Sequence, residues 1–197
     1  MAVVSRMLPT EVSDAAIIAR SVREPEDFAA VFARHYAPIH GFAGQRLGPG
    51  LADDVAAETF LIAFDRRDRY DLSRTDARPW LYGIATNLIA RHRRAEVRQY
   101  RALARAGAEG NYESHADRVV TRLDAEAHRG PLMAALAKLR DGDRDVLLLV
   151  AWAELTSEEA GEALGIPAGT ARSRLHRARK KIRAAMGQTE PTSEEDR

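Results

Sequence analysis

Apolar residues recur at helical spacing along most of the chain, and no β-branched run alternates with polar positions between turn residues. The pattern predicts an all-α protein. Residues 12–22 fit a short helix. Pro25 opens a second, whose stripe runs through Phe28, Val31, Phe32, Tyr36, Ile39 and Phe42 or Ala43 until Gly48-Pro49-Gly50 stops it. A third, over about 52–66, should bury Val55, Phe60, Leu61 and Phe64, with Asp53 and Asp54 where a helix N-terminus favours negative charge. A turn-rich stretch from Tyr70 to Arg78 then precedes a fourth helix. It begins near Pro79 and carries Trp80, Leu81, Ile84, Ala85, Leu88 and Ile89 before turning basic at Arg91.

The period weakens over 106–130, where Gly107, Gly110 and Gly130 appear and the charge turns mildly acidic, which reads as a flexible linker. Strong periodicity returns over 131–186: Leu132, Leu136 and Leu139, then Val146, Leu147, Leu149 and Val150, then two shorter helices. The expected organisation is an N-terminal extension (1–24), a helical bundle (25–105), a linker (106–130), a second small helical domain (131–186) and a disordered acidic tail (187–197).

The second domain carries the sharpest local signal. Thr156, followed three residues later by Glu159, is a capping box, in which each side chain satisfies an amide at the helix start. Gly165 supplies the left-handed residue that ends this helix after Leu164, and Ile166 folds back over the small core. In the next helix Ala171, Leu175, Ala178 and Ile182 form one inward stripe. This is helix, tight turn, helix, and the outward face holds Thr170, Arg172, Ser173, His176, Arg177, Lys180 and Lys181. Arginine can donate two hydrogen bonds to guanine, Ser and Thr suit bases or phosphates, and Lys neutralises backbone charge. Gly169, Thr170, Arg172, Ser173 and His176, near the helix start, are placed to reach base edges; Arg177, Arg179 and Lys180 suit phosphates.

Charge sharpens this picture. The 197 residues sum to a formal +1, yet the cations are clustered. From Arg66 to Arg105 there are 11 arginines against four acids, and from Thr170 to Arg183 seven cations and no acid, so each block nets +7. Two basic blocks on separate apolar scaffolds point to nucleic acid more than to solvated helix faces. There is no cysteine, which excludes disulfides and thiolate metal sites and suits a reducing cytoplasm. No apolar run approaches the roughly 20 residues needed to cross a bilayer, so neither export nor membrane insertion is expected. Enzyme chemistry fares badly: there is no Gly-rich phosphate loop, no Cys nucleophile and no convincing metal set, and no cofactor is implied. His35 and His40, five apart, suit one metal poorly, and His35 reads as a packing or capping residue.

Ile166-Pro-Ala-Gly-Thr-Ala-Arg-Ser-Arg-Leu-His-Arg-Ala-Arg179 resembles region 4 of the extracytoplasmic-function sigma factors, the helix-turn-helix that reads the promoter −35 element. The first domain resembles their region 2. Ala52-Asp-Asp-Val-Ala-Ala-Glu-Thr-Phe-Leu-Ile-Ala-Phe64 is similar to the helix that docks on the clamp of the polymerase largest subunit. Arg78-Pro-Trp-Leu-Tyr-Gly-Ile-Ala-Thr-Asn-Leu-Ile-Ala-Arg-His-Arg-Arg94 is similar to the helix that handles the −10 element. The resemblance covers about residues 13–105 and 131–186, in family order.

It implies a promoter-reading subunit without catalytic activity, whose partners are core RNA polymerase (clamp and flap) and promoter DNA. Many relatives are held inactive by a membrane-linked anti-sigma factor, which makes one a candidate partner. Asp53, Asp54, Glu58, Phe60 and Phe64 would belong to the polymerase-docking surface, with core packing an equal alternative for the two phenylalanines. Arg78, Trp80, Asn87, Arg91, Arg93 and Arg94 would line the path of −10 DNA, and the loop from Tyr70 to Ala77 would hold a base flipped from the non-template strand. Trp80 also reads as a packing residue. Ser157, Ala160 and Ala171 are smaller than the residues common in the family at those places, which predicts a looser region 4 core. A free-standing helix-turn-helix regulator, binding operator DNA without polymerase, stays open as the rival reading.

Overall fold

The computed structural model describes residues 12–108 and 119–187. Among them every regular element is helical, as the apolar period requires: α1 (Asp14–Ser21), α2 (Ala29–Leu47), α3 (Pro49–Asp65), α4 (Arg78–Arg91), α5 (Arg93–Ala108), α6 (Val119–Lys138), α7 (Asp141–Ala151), α8 (Ser157–Ala163) and α9 (Ala168–Ala185). Short 3₁₀ turns at Pro25–Phe28 and Arg67–Arg69 lead into α2 and out of α3. Helices α1 to α5 make a first module, and α7 to α9 with the second half of α6 make a smaller one.

The first module is fastened at its N-terminus by a buried carboxylate. Ser13 caps α1 by accepting from the Ala16 amide. Asp14, the next residue, takes hydrogen bonds from His35 (2.7 Å), the Ala77 amide (2.9 Å) and Arg34. One side chain therefore ties α1 to α2 and to the start of α4. Residues 13–24, expected as an extension, are part of the bundle for this reason. His35 packs at the bond, as its sequence setting suggested. Burial by itself would raise the Asp14 carboxyl, but His35, the Ala77 amide and Arg34 outweigh it and hold it at about 2, against an ordinary 3.8.

Two helical faces differ from expectation by one position. In α2 the buried line is Val31, His35, Ile39, Phe42, Ala43, Arg46 and Leu47, leaving Phe32 43% exposed. In α3 it is Ala52, Val55, Ala56, Thr59, Phe60 and Ala63, leaving Leu61 68% exposed and Phe64 half-buried. Each residue turns a helix by about 100°, so a residue one position past the buried line, as Phe32 is after Val31 and Leu61 after Phe60, can swing out of the face. Helix α3 also starts earlier than expected. Gly48 adopts φ +85°, which ends α2, and Pro49 serves as a first-turn residue of the next helix. Asp53 and Asp54 consequently lie beyond the first turn, where the pull of the helix dipole has faded.

The segment expected as a linker is helical wherever it is described: α5 runs to Ala108 and α6 begins at Val119. Glycines and a faded apolar stripe hid a helix that packs along α5. Residues 109–118, and 188–197 of the expected tail, lie outside the described residues.

The second module forms as its local signals dictate. Glu159 accepts from the Thr156 amide at 2.7 Å while the Thr156 hydroxyl accepts from the Glu159 amide, completing the capping box. Gly165 sits at φ +62°, and the Ile166 amide returns to the Gly161 carbonyl at 2.9 Å. The expected looseness is absent: Ala160 and Ala171 are fully buried, and Gly161 lets α8 and α9 approach so closely that a Cβ there would lie 3.0 Å from the Ile166 carbonyl. Small residues shorten the distance between helices instead of leaving voids.

The two modules lie against each other and share one apolar core, with a smaller cluster of Val146, Ala171 and Leu175 inside the second. Helix α8 rests on α4 at Gly83, where a Cβ would come within 2.4 Å of the Ala163 carbonyl oxygen.

Asp14→Asn should destabilise the chain by about 2 kcal/mol above about pH 4, the energy equivalent of the Asp14 shift. A depressed carboxyl contributes stability that is present above its unfolded pKa and lost as pH falls through the folded one. Urea titrations of both proteins should therefore diverge above about pH 4 and converge towards about pH 2.

Candidate nucleic-acid interface

The face of α9 is built as its pattern predicts. Ala171, Leu175 and Ala178 are buried, and Gly169, Arg172, Ser173, His176, Arg177, Arg179 and Lys180 are exposed, with Thr170 half-buried at the helix start. Among the described residues nothing lies within 4 Å of where a Cβ on Gly169 would sit, so the N-terminal end of α9 is open. Two arginines are less available than the pattern suggested. Arg172 reaches Glu158 of α8 at 3.4 Å, a surface pair that water weakens. Arg177 grips the buried Asp143 of α7 through two bonds, 2.7 and 3.2 Å. Its guanidinium holds the Asp143 carboxyl below the usual range, and Asp143 in turn raises Arg177. Arg177, expected at a phosphate, thus also fastens α9 to α7. Arg174 was not singled out; it packs over Gly142, where a Cβ would meet it at 2.6 Å.

In the first module the candidate residues lie along α4 and the start of α5. Tyr70 spans the preceding loop, its hydroxyl facing the Arg74 and Asp76 carbonyls at 2.8 and 3.1 Å, and burial pushes its phenol up. Trp80 packs on Tyr70 with ring centroids 4.9 Å apart, so it props the loop while remaining half-buried. Asp76 caps α4 by accepting from the Arg78 amide at 2.9 Å, and its other oxygen holds the Arg78 guanidinium at 2.7 Å. Asn87 is exposed. Arg91 pairs with Glu58 at 2.6 Å, Arg93 with Asp141 of the second module, and Arg94 is exposed with no ion pair among the described residues. Arg91, His92, Arg93, Arg94, Arg98 and Arg101 line an open basin of about 980 Å³. Arg98 and Arg101 were legible as charge but not as members of this basin, because the break at His92 that begins α5 sets their direction.

The candidate docking face on α2 and α3 is mixed. Asp53 and Asp54 are exposed, and Asp53 takes the His40 imidazole at 3.0 Å. Glu58 is half-buried and engaged with Arg91. Phe60 is 4% exposed beneath Phe32 and Tyr36, and Phe64 stands edge-on to Phe28 with Arg67 over its ring at 3.8 Å. Phe60 therefore supports the surface from below. Its exposed apolar members are Leu61 and Phe32, which sequence reasoning had assigned to the core. Among the described residues no group of three or more His, Asp or Glu could hold a metal, and no helix is long and apolar enough to cross a membrane.

Two basic faces, one on a helix-turn-helix and one on a bundle with an acidic neighbouring surface, define a two-part nucleic-acid-binding protein. Comparison with known proteins gives the family. Residues 31–99 match the model of Sigma-70 region 2, and residues 129–182 that of Sigma-70, region 4. The ECF RNA polymerase sigma factor SigW of Bacillus subtilis is 36% identical over 141 residues, covering 68% of this chain and 75% of that one. The RNA polymerase sigma factor CarQ of Myxococcus xanthus is 31% identical over 172 residues, covering 83% and 91%. A solved structure of CnrH in complex with the cytosolic domain of CnrY superposes with a TM-score of 0.60 at 26% identity, covering 88% of this chain and 97% of that one. The chain belongs to the ECF sigma factors of RNA polymerase.

Arg179→Ala and Lys180→Ala should each shallow the slope of log duplex affinity against log salt by about 0.9, read by fluorescence anisotropy. Arg177→Ala should also lower the melting temperature, because it leaves Asp143 buried without its cation. An Arg177→Ala protein as stable as the parent would contradict its anchoring role.

Proposed function

We propose that this chain docks on core RNA polymerase through the α2/α3 face and reads a promoter at two points, the −10 element with α4 and its flanks and the −35 element with α9. What carries the reading is the presence of two cationic faces on two modules, in the order in which the two family models match. Asp53, Asp54 and Glu58 supply charge for docking, and Leu61 and Phe32 the apolar contact, with Phe60 and Phe64 as support. Arg78, Asn87, Arg91, Arg93 and Arg94 track the −10 strand. Trp80 and Tyr70 shape the loop of residues 70–77 for an unstacked base, whose cost of a few kcal/mol a preformed site offsets.

On α9, Gly169, Thr170, Arg172, Ser173 and His176 meet base edges, and Arg179 and Lys180 meet phosphates. Two weak contacts made together on one polymerase give avidity that neither has alone. In this division of labour residues 25–105 and 131–186 act as regions 2 and 4, with α1 completing the first. The chain works by binding, without a reaction of its own, in the cytoplasm where polymerase and genome meet. CnrH is solved in complex with the cytosolic domain of CnrY, and the anti-sigma factor that the family resemblance implies is a candidate partner here.

Run-off transcription with core enzyme on genomic fragments tests this; promoter-specific transcripts are expected, and none, with no core association, would leave the chain a free-standing DNA-binding regulator. Leu61→Asp should weaken core association at least about tenfold, the effect of losing a buried apolar anchor, while leaving duplex binding by α9 unchanged. Equal loss of both would contradict the assignment.

A further inference from the structure

Helix α5 extends the basic basin well past the residues assigned to the −10 strand. Arg94, Arg98, Arg101 and Arg105 follow one another at intervals of four, three and four, so they form a single row along the helix. All four are exposed, and none has an ion pair among the described residues. Nearby, Arg78, Arg91 and Arg93 are each held by a carboxylate. Lys138 of α6 joins the far end of the row, where it shares a shallow groove of about 260 Å³ with Arg101 and Arg105. The groove is otherwise lined by Ala104, Ala134 and Ala137, short enough to let a backbone approach the cations.

A solvated helix face commonly alternates in sign, because an acid three or four residues from a cation stabilises the helix and a like charge there opposes it. Here each arginine has another arginine as its neighbour along the row. The one acid of α5, Glu96, is turned inward, 1% exposed and bonded to Arg46 and Arg144. Asp141, the one acid among the residues lining the basin, is occupied by Arg93. The row is therefore a concentrated positive field, and its dimensions decide what it fits. From Arg94 to Arg105 the helix rises roughly 16 Å at about 1.5 Å per residue. That is the length of about five nucleotides of duplex backbone, at about 3.4 Å each along the axis. Single strands are gripped through aromatic rings as well as charge, and the one ring on α5, Tyr100, is fully buried. A straight row of like cations matches a repeating charge better than a sequence of bases.

We propose that the α5 row, with Lys138, is a third DNA contact: it binds the phosphate backbone of the duplex adjoining the −10 element on its upstream side, without reading sequence. This rests on the proposed assignment of α4 to the −10 element and α9 to the −35 element. The row begins at Arg94, where the α4 path ends, and α5 leads through α6 into the module that reads the upstream element. It thus faces the spacer between the two elements. Such a contact adds affinity and salt dependence but no base preference.

The test uses holoenzyme, reconstituted from core enzyme and this chain, on a promoter mapped by run-off transcription, with binding measured before nucleotides are added. Arg98→Ala, Arg101→Ala and Arg105→Ala combined should shallow the slope of log promoter affinity against log salt by about 2.7, three contacts at about 0.9 each. Circular dichroism and core association should match the parent. Arg98→Lys, Arg101→Lys and Arg105→Lys combined should keep the parent slope, because a phosphate needs the charge and not the guanidinium fork. On a fork template whose duplex stops at the upstream edge of the −10 element, parent and alanine variant should bind alike. Changing the spacer sequence should alter neither. Equal slopes for parent and alanine variant on the full promoter, or an undiminished difference on the truncated template, would overturn the proposal. So would a loss that lysine fails to restore, which is the mark of base reading, or a defect confined to the stage after nucleotides are added, which would give the row to nascent RNA. A parent holoenzyme that yields no promoter-specific transcripts would instead overturn the proposed function, on which the spacer contact depends.

Discussion

A guanidinium with almost no access to water governs how this molecule is put together. Arg46 lies deep in the first module, where burial by itself would favour loss of its proton; Glu96 and Asp145 outweigh that and raise its pKa. One of these carboxylates comes from its own module and the other from α7, fifty and ninety-nine residues away. Satisfying a single charge therefore brings two family regions into contact. Around that meeting α8 lies on α4 and α6 along α5, within one shared apolar core. A hydrophobic residue at 46 could have closed the first module by itself, without reference to the second.

The same interplay explains why a chain with two strongly basic blocks is nearly neutral overall. Acids of one module are spent on the arginines of the other, and acids of α7 and α8 restrain arginines of α9. Asp141, Asp143, Glu158 and Glu162 each hold a guanidinium that DNA would also accept. Nucleic acid thus meets a surface whose cations are already partly engaged, and binding is an exchange of partners. Such exchange favours ligands that offer many phosphates at once and disfavours incidental contacts.

Much of the fold was legible in the chain because local physics specifies it. The capping box at Thr156 and Glu159, the left-handed glycines 48 and 165, and the inward stripe of α9 each need only a few neighbouring residues. The family resemblance was equally local, resting on two short helical motifs. Three features were not legible. Phe32 and Leu61 sit one position from buried residues, and a count of apolar spacing does not distinguish a face from its edge. Helix α6 carries too few apolar residues over its first half to announce itself, since its support comes from α5. The charged seam joins residues far apart in sequence, and no local pattern marks any of them as buried. Arg177 belongs to the same class: its spacing on α9 was right for a phosphate, and only the fold reveals Asp143 behind it.

The central claim is that one chain reads two DNA elements, and that it does so when polymerase carries it. Hydroxyl-radical footprinting on a promoter mapped by run-off transcription addresses this directly, with the free chain and the chain bound to core enzyme side by side. The account predicts one weak protected patch upstream for the free chain, and two patches, upstream and around the melted region, for the complex. Two equally strong patches from the free chain, or a complex that protects DNA without any contribution from α9 or α4 side chains, would contradict it.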